Sequence, residues 1–218
     1  MEQLEKYLKP TPTIDCDNEA IREKARDLIK NQRDTTDKAK TLFYFVRDKI
    51  KYNMYVPFHL LEHYVASRTL QKGEGYCCQK AILMAALARA AGIPSRLGYA
   101  DLINYMLPKK FVEARKSNLI ICHGFAELFF NDRWVKVTPV FDLDTCQRHR
   151  FIPVDFDGKN DAKFHPINQD GKPHIEYVRE RDSYEDIPLD EILNARKQGY
   201  EPRVYETWKE AVLGGEPG

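Results

Sequence analysis

No stretch of this chain approaches the ~18 consecutive apolar residues that a bilayer-spanning helix needs. Its first residues, Met1-Glu2-Gln3-Leu4-Glu5-Lys6-Tyr7, lack the basic region and apolar core of a secretory signal. Charge of one sign is also missing: 34 Lys and Arg stand against 33 Asp and Glu, for a formal charge of +1. That balance gives no electrostatic case for a nucleic acid or an anionic membrane as partner. Cysteine is sparse and odd in number, five in 218 residues, and Cys77 and Cys78 are adjacent, a poor geometry for a disulfide. No Cys-x2-Cys pair accompanies Cys122-His123 or Cys146-Gln147-Arg148-His149, so neither reads as a zinc ribbon or finger. Internal repeats and low-complexity tracts are absent too. These absences point to reduced thiols, a cytoplasmic location and no cofactor. The length suits one domain that buries its core without staples.

What is present has an order. Ile21, Ala25, Leu28 and Ile29 repeat at helical spacing over 18–31. Asp34 or Thr35 can cap a second helix that carries Ala39, Leu42, Phe43 and Val46. Residues 59–65 form a short helix or turn, and 77–91 a helix that is apolar on nearly every side and hence buried. Gly92 closes it and Pro94 forbids its continuation. Beyond it the period shifts toward two. Residues 95–102, 118–130 and 133–138 read as strands, the last two joined through Asn131-Asp132 as a hairpin. Asp170-Gly171 suggests another hairpin between 164–167 and 174–178, and 188–197 a late amphipathic helix. Helices first, then a buried helix, then antiparallel strands: this is an α+β order.

The chemistry centres on Cys77, placed where a loop turns into a helix. Unpaired N–H groups and the positive end of the helix dipole there favour thiolate over thiol. His123 follows on a predicted strand, and a cysteine with a distant histidine is the minimum set for covalent acyl transfer.

Gly75-Tyr76-Cys77, Lys80-Ala81 and Gly92-Ile93-Pro94, followed by His123-Gly124-Phe125-Ala126-Glu127-Leu128 and Arg133-Trp134 through Thr138-Pro139, resemble the transglutaminase-like superfamily. The resemblance covers roughly 38–142 and implies a papain-like core: N-terminal helices, a buried helix with the nucleophile at its start, and an antiparallel sheet carrying the histidine. Residues 1–218 are then one domain, with 143–218 an extension covering the core. The family's pattern assigns Cys77 as nucleophile and His123 as its partner, and leaves Cys78 as a packing residue. The family's usual Asp-Pro-Thr stands here as Thr138-Pro139. A threonine accepts a hydrogen bond but cannot stabilise an imidazolium as a carboxylate does. The third member is therefore Asp142 swinging back, Thr138 alone, or neither. Tyr76, Trp134 and Thr138 are the candidate substrate contacts.

The expected function is thiol-based acyl transfer to water, with a peptide or small-molecule amide as substrate. Two rivals remain. A non-catalytic binding module on the same fold would keep Cys77 and His123 as relics. The pattern His59-Leu60-Leu61-Glu62-His63 matches the His-x-x-Glu-His of a class of zinc proteases, though Pro57 argues against a long helix there.

Overall fold

A computed structural model of the chain describes residues 2–200. Its helices are α1 (Glu2–Glu5), α2 (Glu19–Ile29), α3 (Thr35–Lys49), α4 (Ala66–Lys72), α5 (Cys77–Ala90), α6 (Lys109–Arg115), α7 (Leu143–His149) and α8 (Leu189–Gly199). The strands are β1 (Lys51–Tyr52), β2 (Glu74–Gly75), β3 (Ser95–Asn104), β4 (Leu119–Phe130), β5 (Arg133–Val137) and β6 (Ile175–Tyr184). Residues 201–218 of the expected extension lie outside the described residues.

Local chemistry sets the helix starts. Asn18 caps α2 through a bond from the Ala20 N–H (3.0 Å), and Asp34 caps α3 through the Asp37 N–H (2.8 Å). At the head of α5, Gln79 reaches back to the Tyr76 N–H (3.2 Å), which is half of a capping box. Its amide also donates to the carbonyls of Pro57 (3.1 Å) and His63 (2.8 Å), so the loop before α4 is tied to the start of α5.

The core forms around α5, whose residues from Cys77 to Arg89 are all buried. Alanines at 81, 85, 86 and 88 let neighbouring elements approach it closely. Lys80, fully buried on this helix, survives by capping another: its ammonium donates to the carbonyls of Arg47 (3.1 Å) and Ile50 (2.5 Å) at the end of α3. Burial brings its pKa down to about 7, against the pull of Asp142.

The main sheet is antiparallel, in the order β5-β4-β3-β6. β4 and β5 form the expected hairpin, and Asn131 and Asp132 both take positive φ (51° and 58°), as a type I′ turn requires. The expected hairpin across Asp170-Gly171 is corrected. Only an isolated bridge, Ile167 to Pro173, forms there, and the strand that follows pairs with β3 instead. β3 is buried along most of its length, and a strand so placed needs partners on both sides. Between β3 and β4 the chain forms α6.

Candidate active site

Cys77 begins α5 and has Cys78 beside it, the two sulfurs 3.9 Å apart. Cys77 faces a cleft of about 70 Å³, whereas Cys78 is turned inward and 1% exposed. Gly124, the residue after His123, packs against the start of the cysteine helix, and its N–H favours the charged form of the Cys77 sulfur. Gly124 also explains how the two elements come so close. A Cβ there would sit 2.9 Å from Cys78 Sγ and 3.0 Å from its Cα. The glycine of His123-Gly124 is thus a packing requirement of the site.

The electrostatics depart from the sequence expectation. The hydrogen bond to Cys78 and burial push the Cys77 thiol well above its ordinary value, against the Gly124 N–H and Arg196. Cys78 moves the other way. Burial opposes its ionisation, but the Cys77 S–H and the Arg196 guanidinium prevail and lower it. Two sulfurs in contact cannot both ionise, so the pair favours one negative charge, and it rests toward Cys78.

His123 lies on β4 opposite Ala100 and lines the same cleft as Cys77. A β-bulge aims it: between the pairs Ala100–His123 and Leu102–Ile120, Asp101 faces both Ile121 and Cys122. Cys122 takes φ +57°, uncommon for a residue with a side chain, and its N–H donates to Asp101 Oδ1 (3.0 Å). The Asp101 carboxylate is in turn gripped by Arg181 of β6 through two bonds of 2.7 Å. The imidazole is 3% exposed, with Phe164 at 5.0 Å between ring centroids. Its Nε2 is buried without a hydrogen-bond partner, and burial drops its pKa to about 3. A neutral imidazole is therefore the resting form.

Neither third-member candidate bonds to that ring. Asp142 is the N-cap of α7, accepting from the Thr145 N–H (2.8 Å) and hydroxyl (3.0 Å) and from the Tyr52 N–H (2.8 Å). Burial opposes its ionisation, but these donors win and hold its carboxyl below the ordinary value. Thr138 is buried at the end of β5 beside Tyr177, close enough to act on the phenol, although its own Oγ1 makes no hydrogen bond of good geometry. Burial pushes that phenol up to about 12.

Of the candidate substrate contacts, Tyr76 lines the cleft. Trp134 packs elsewhere, edge-on to Tyr7 (5.0 Å) and Phe129 (5.3 Å), with the Arg96 guanidinium 4.1 Å over its ring. The rest of the cleft wall is largely apolar, with Leu102, Ile121, Val140, Phe141 and Phe164 among its residues. One cation lines it that sequence reasoning missed, Arg196 of α8. Its signal was its spacing: Ile192 and Arg196 lie four apart on the buried side of an amphipathic helix.

The His59 and His63 rings approach to 4.7 Å, but only His63 lies on a 3-10 turn (Leu61–Tyr64), and His59 sits in the bend before it. His63 Nδ1 accepts from the Leu60 N–H (3.2 Å), and Glu62 pairs with Arg68 (3.4 Å). Among the described residues, no group of three His, Cys, Asp or Glu is placed to hold a metal ion.

The model of the transglutaminase-like superfamily matches residues 22–139. Among solved structures, the chain is similar to one described as a "putative cysteine protease" from Cytophaga hutchinsonii, with TM-score 0.51 and 14% identity over 84% of this chain and 55% of that one. It also matches the periplasmic domain of TgpA from Pseudomonas aeruginosa, with TM-score 0.43 and 21% identity over 56% of this chain and 42% of that one. The chain thus spans about half the length of these structures. No curated protein matches it. Among the described residues, no helix is long and apolar enough to cross a membrane.

Proposed function

Since the chain belongs to the transglutaminase-like superfamily, we propose that it is a cysteine-dependent acyl-transfer enzyme that hydrolyses an amide or peptide-type bond. One observation carries the reading: Cys77, at the start of a buried helix, and His123, aimed by a β-bulge, face one cleft.

In this mechanism the Cys77 sulfur attacks the carbonyl, with neutral His123 as the base that receives the thiol proton. The Cys77 N–H at the helix start stabilises the oxyanion. Collapse of the adduct expels the amine, which takes its proton from the imidazolium, and water then releases the acyl group from sulfur. The small, largely apolar cleft favours an acyl group with an apolar body. The five cysteines, all free, suit a reducing compartment such as the cytoplasm.

The test is turnover of a panel of peptides and small amides, with mass analysis of the trapped enzyme. A thioacyl adduct on Cys77, and loss of turnover in Cys77→Ala, are expected. Full activity in Cys77→Ala would sink the proposal. The lack of a hydrogen bond to His123 Nε2 favours a second reading, a binding module on the same fold. It requires that the panel be bound without turnover.

A further inference from the structure

The family match ends at residue 139, yet one side chain at the nucleophile comes from far beyond it. Arg196 of α8 is 3% exposed. Its Nη2 lies 3.8 Å from Cys78 Sγ and 3.4 Å from the Cys122 carbonyl, and its Nε donates to the Ile121 carbonyl (3.3 Å). Its Nη1 lies 3.4 Å from the Tyr76 hydroxyl.

Counting protons shows which way these groups point. Tyr64 donates its one proton to the Phe58 carbonyl (2.6 Å), so in its 2.7 Å contact with Tyr76 it accepts. Tyr76 is then the donor to Tyr64, and its oxygen accepts from Arg196. The chain of bonds runs from the guanidinium outward, leaving Arg196 as a donor toward Cys78.

We infer that Arg196 is a positioning residue of the nucleophile. Its guanidinium, brought in by α8, holds one negative charge on the Cys77–Cys78 pair, in the place that an imidazolium would otherwise fill. The inference rests on the acyl-transfer reading and deepens it. Within the pair, passing the single proton from Cys77 sulfur to Cys78 sulfur breaks one S–H bond and forms the other. That transfer leaves the charge on the sulfur that faces the cleft; as this sulfur attacks, the pair's one proton passes to neutral His123, which gives it to the leaving amine.

The surroundings support this. Facing the pair are Arg196 from α8, Tyr64 from the turn before α4, Tyr76 at the head of α5, Tyr99 from β3, Cys122 from β4 and Tyr177 from β6, with His123 of β4 in the same cleft as Cys77. Burial holds Tyr64, Tyr76 and Tyr99 well above their ordinary value, Tyr177 up to about 12, Cys122 up to about 11 and His123 down to about 3. Of these groups Arg196 alone is charged at neutral pH. Lys80, the other cation near the start of α5, is spent on α3.

The experiment is the pH dependence of iodoacetamide labelling of the Cys77–Cys78 peptide, read by tandem mass spectrometry. It compares the full chain with Arg196→Gln and Arg196→Lys. The wild type should label with a midpoint below the ordinary thiol range. Arg196→Gln should raise that midpoint by at least about one pH unit, making labelling near pH 7 about tenfold slower, and Arg196→Lys should recover most of the loss. A folded Arg196→Gln chain whose profile superposes on the wild type overturns the inference, whatever the turnover. If Arg196→Gln does not fold, the wild type decides: a midpoint at or above the ordinary thiol value overturns it. A shifted profile in a chain that turns over no amide leaves this inference standing and removes the acyl-transfer reading.

Discussion

Replacing Asp101 by alanine should damage the site without touching either reacting side chain. Asp101 fills the β-bulge, accepts from the Cys122 N–H at 3.0 Å and holds Arg181 through two bonds of 2.7 Å. Without it the Cys122 N–H is buried and unsatisfied, which costs about 1–3 kcal/mol. Losing Arg181 adds less, about 0–1 kcal/mol, because that side chain is 22% exposed and partly screened. The positive φ of Cys122 also loses the bond that sustains it. The sum is about 1–4 kcal/mol, a fall in Tm of about 2–16 °C for a domain of this size. A displacement of His123 approaching an ångström would lower kcat by about 100-fold. Circular dichroism melting and steady-state kinetics read the two effects separately. Asp101→Asn, which keeps an acceptor for Cys122, should recover much of both. An alanine variant with a Tm within about 2 °C of wild type and unchanged kcat would refute the reasoning.

Two further outcomes follow from the same geometry. Gly124→Ala places a methyl group against Cys78 Sγ at 2.9 Å, so the start of α5 must move off β4. The expected result is a loss of about 1–3 kcal/mol in a denaturant melt and slower thiol labelling, and wild-type behaviour in both would contradict the packing described. Acid should unfold the chain through buried imidazoles: His174, stacked on Phe151 at 4.1 Å with neither nitrogen bonded, is held down to about 4 by burial, and His123 to about 3. Each binds fewer protons folded than unfolded, so stability is full above the unfolded value of 6.5 and is lost as pH falls toward about 4. His174→Phe should flatten that limb of the Tm–pH curve, and an unaltered limb would exclude His174 as its source.

The parts of this molecule legible in its sequence are those encoded locally. The 3.6-residue period and the capping Asp34 marked α3, the all-round apolar run marked α5, and Asn131-Asp132 marked the β4–β5 turn. The placement of Cys77 at a helix start and of His123 on a strand was legible because both are local signals. β6 was missed as a partner of β3 because pairing between residues 80 apart, such as Asp101 and Arg181, leaves no trace in either segment alone. Asp142 was read for its carboxylate, but Asp142-Leu143-Asp144-Thr145 is also the start of a helix, and capping claimed the side chain. Trp134 is a candidate substrate contact on the sequence, as one of the aromatics beside the motif residues. The side chain instead packs against Tyr7, Phe129 and Arg96. An arginine on an amphipathic helix reads by default as solvated, so Arg196 was visible only through its spacing from Ile192.

The contact between Arg196 and Cys78 spans 118 residues, which sets an order of events during synthesis. At about 5–20 residues per second, Arg196 is made roughly 6–24 s after the cysteines, and β6, which carries Arg181, is also late. Helices α2 to α5 and the β4–β5 hairpin can assemble from nearby sequence in that interval, whereas the contacts from β6 and α8 must wait. A chain still on the ribosome therefore holds its thiol pair in place with no guanidinium beside it. Segments made more than a hundred residues after the cysteines thus complete the charge balance of their site.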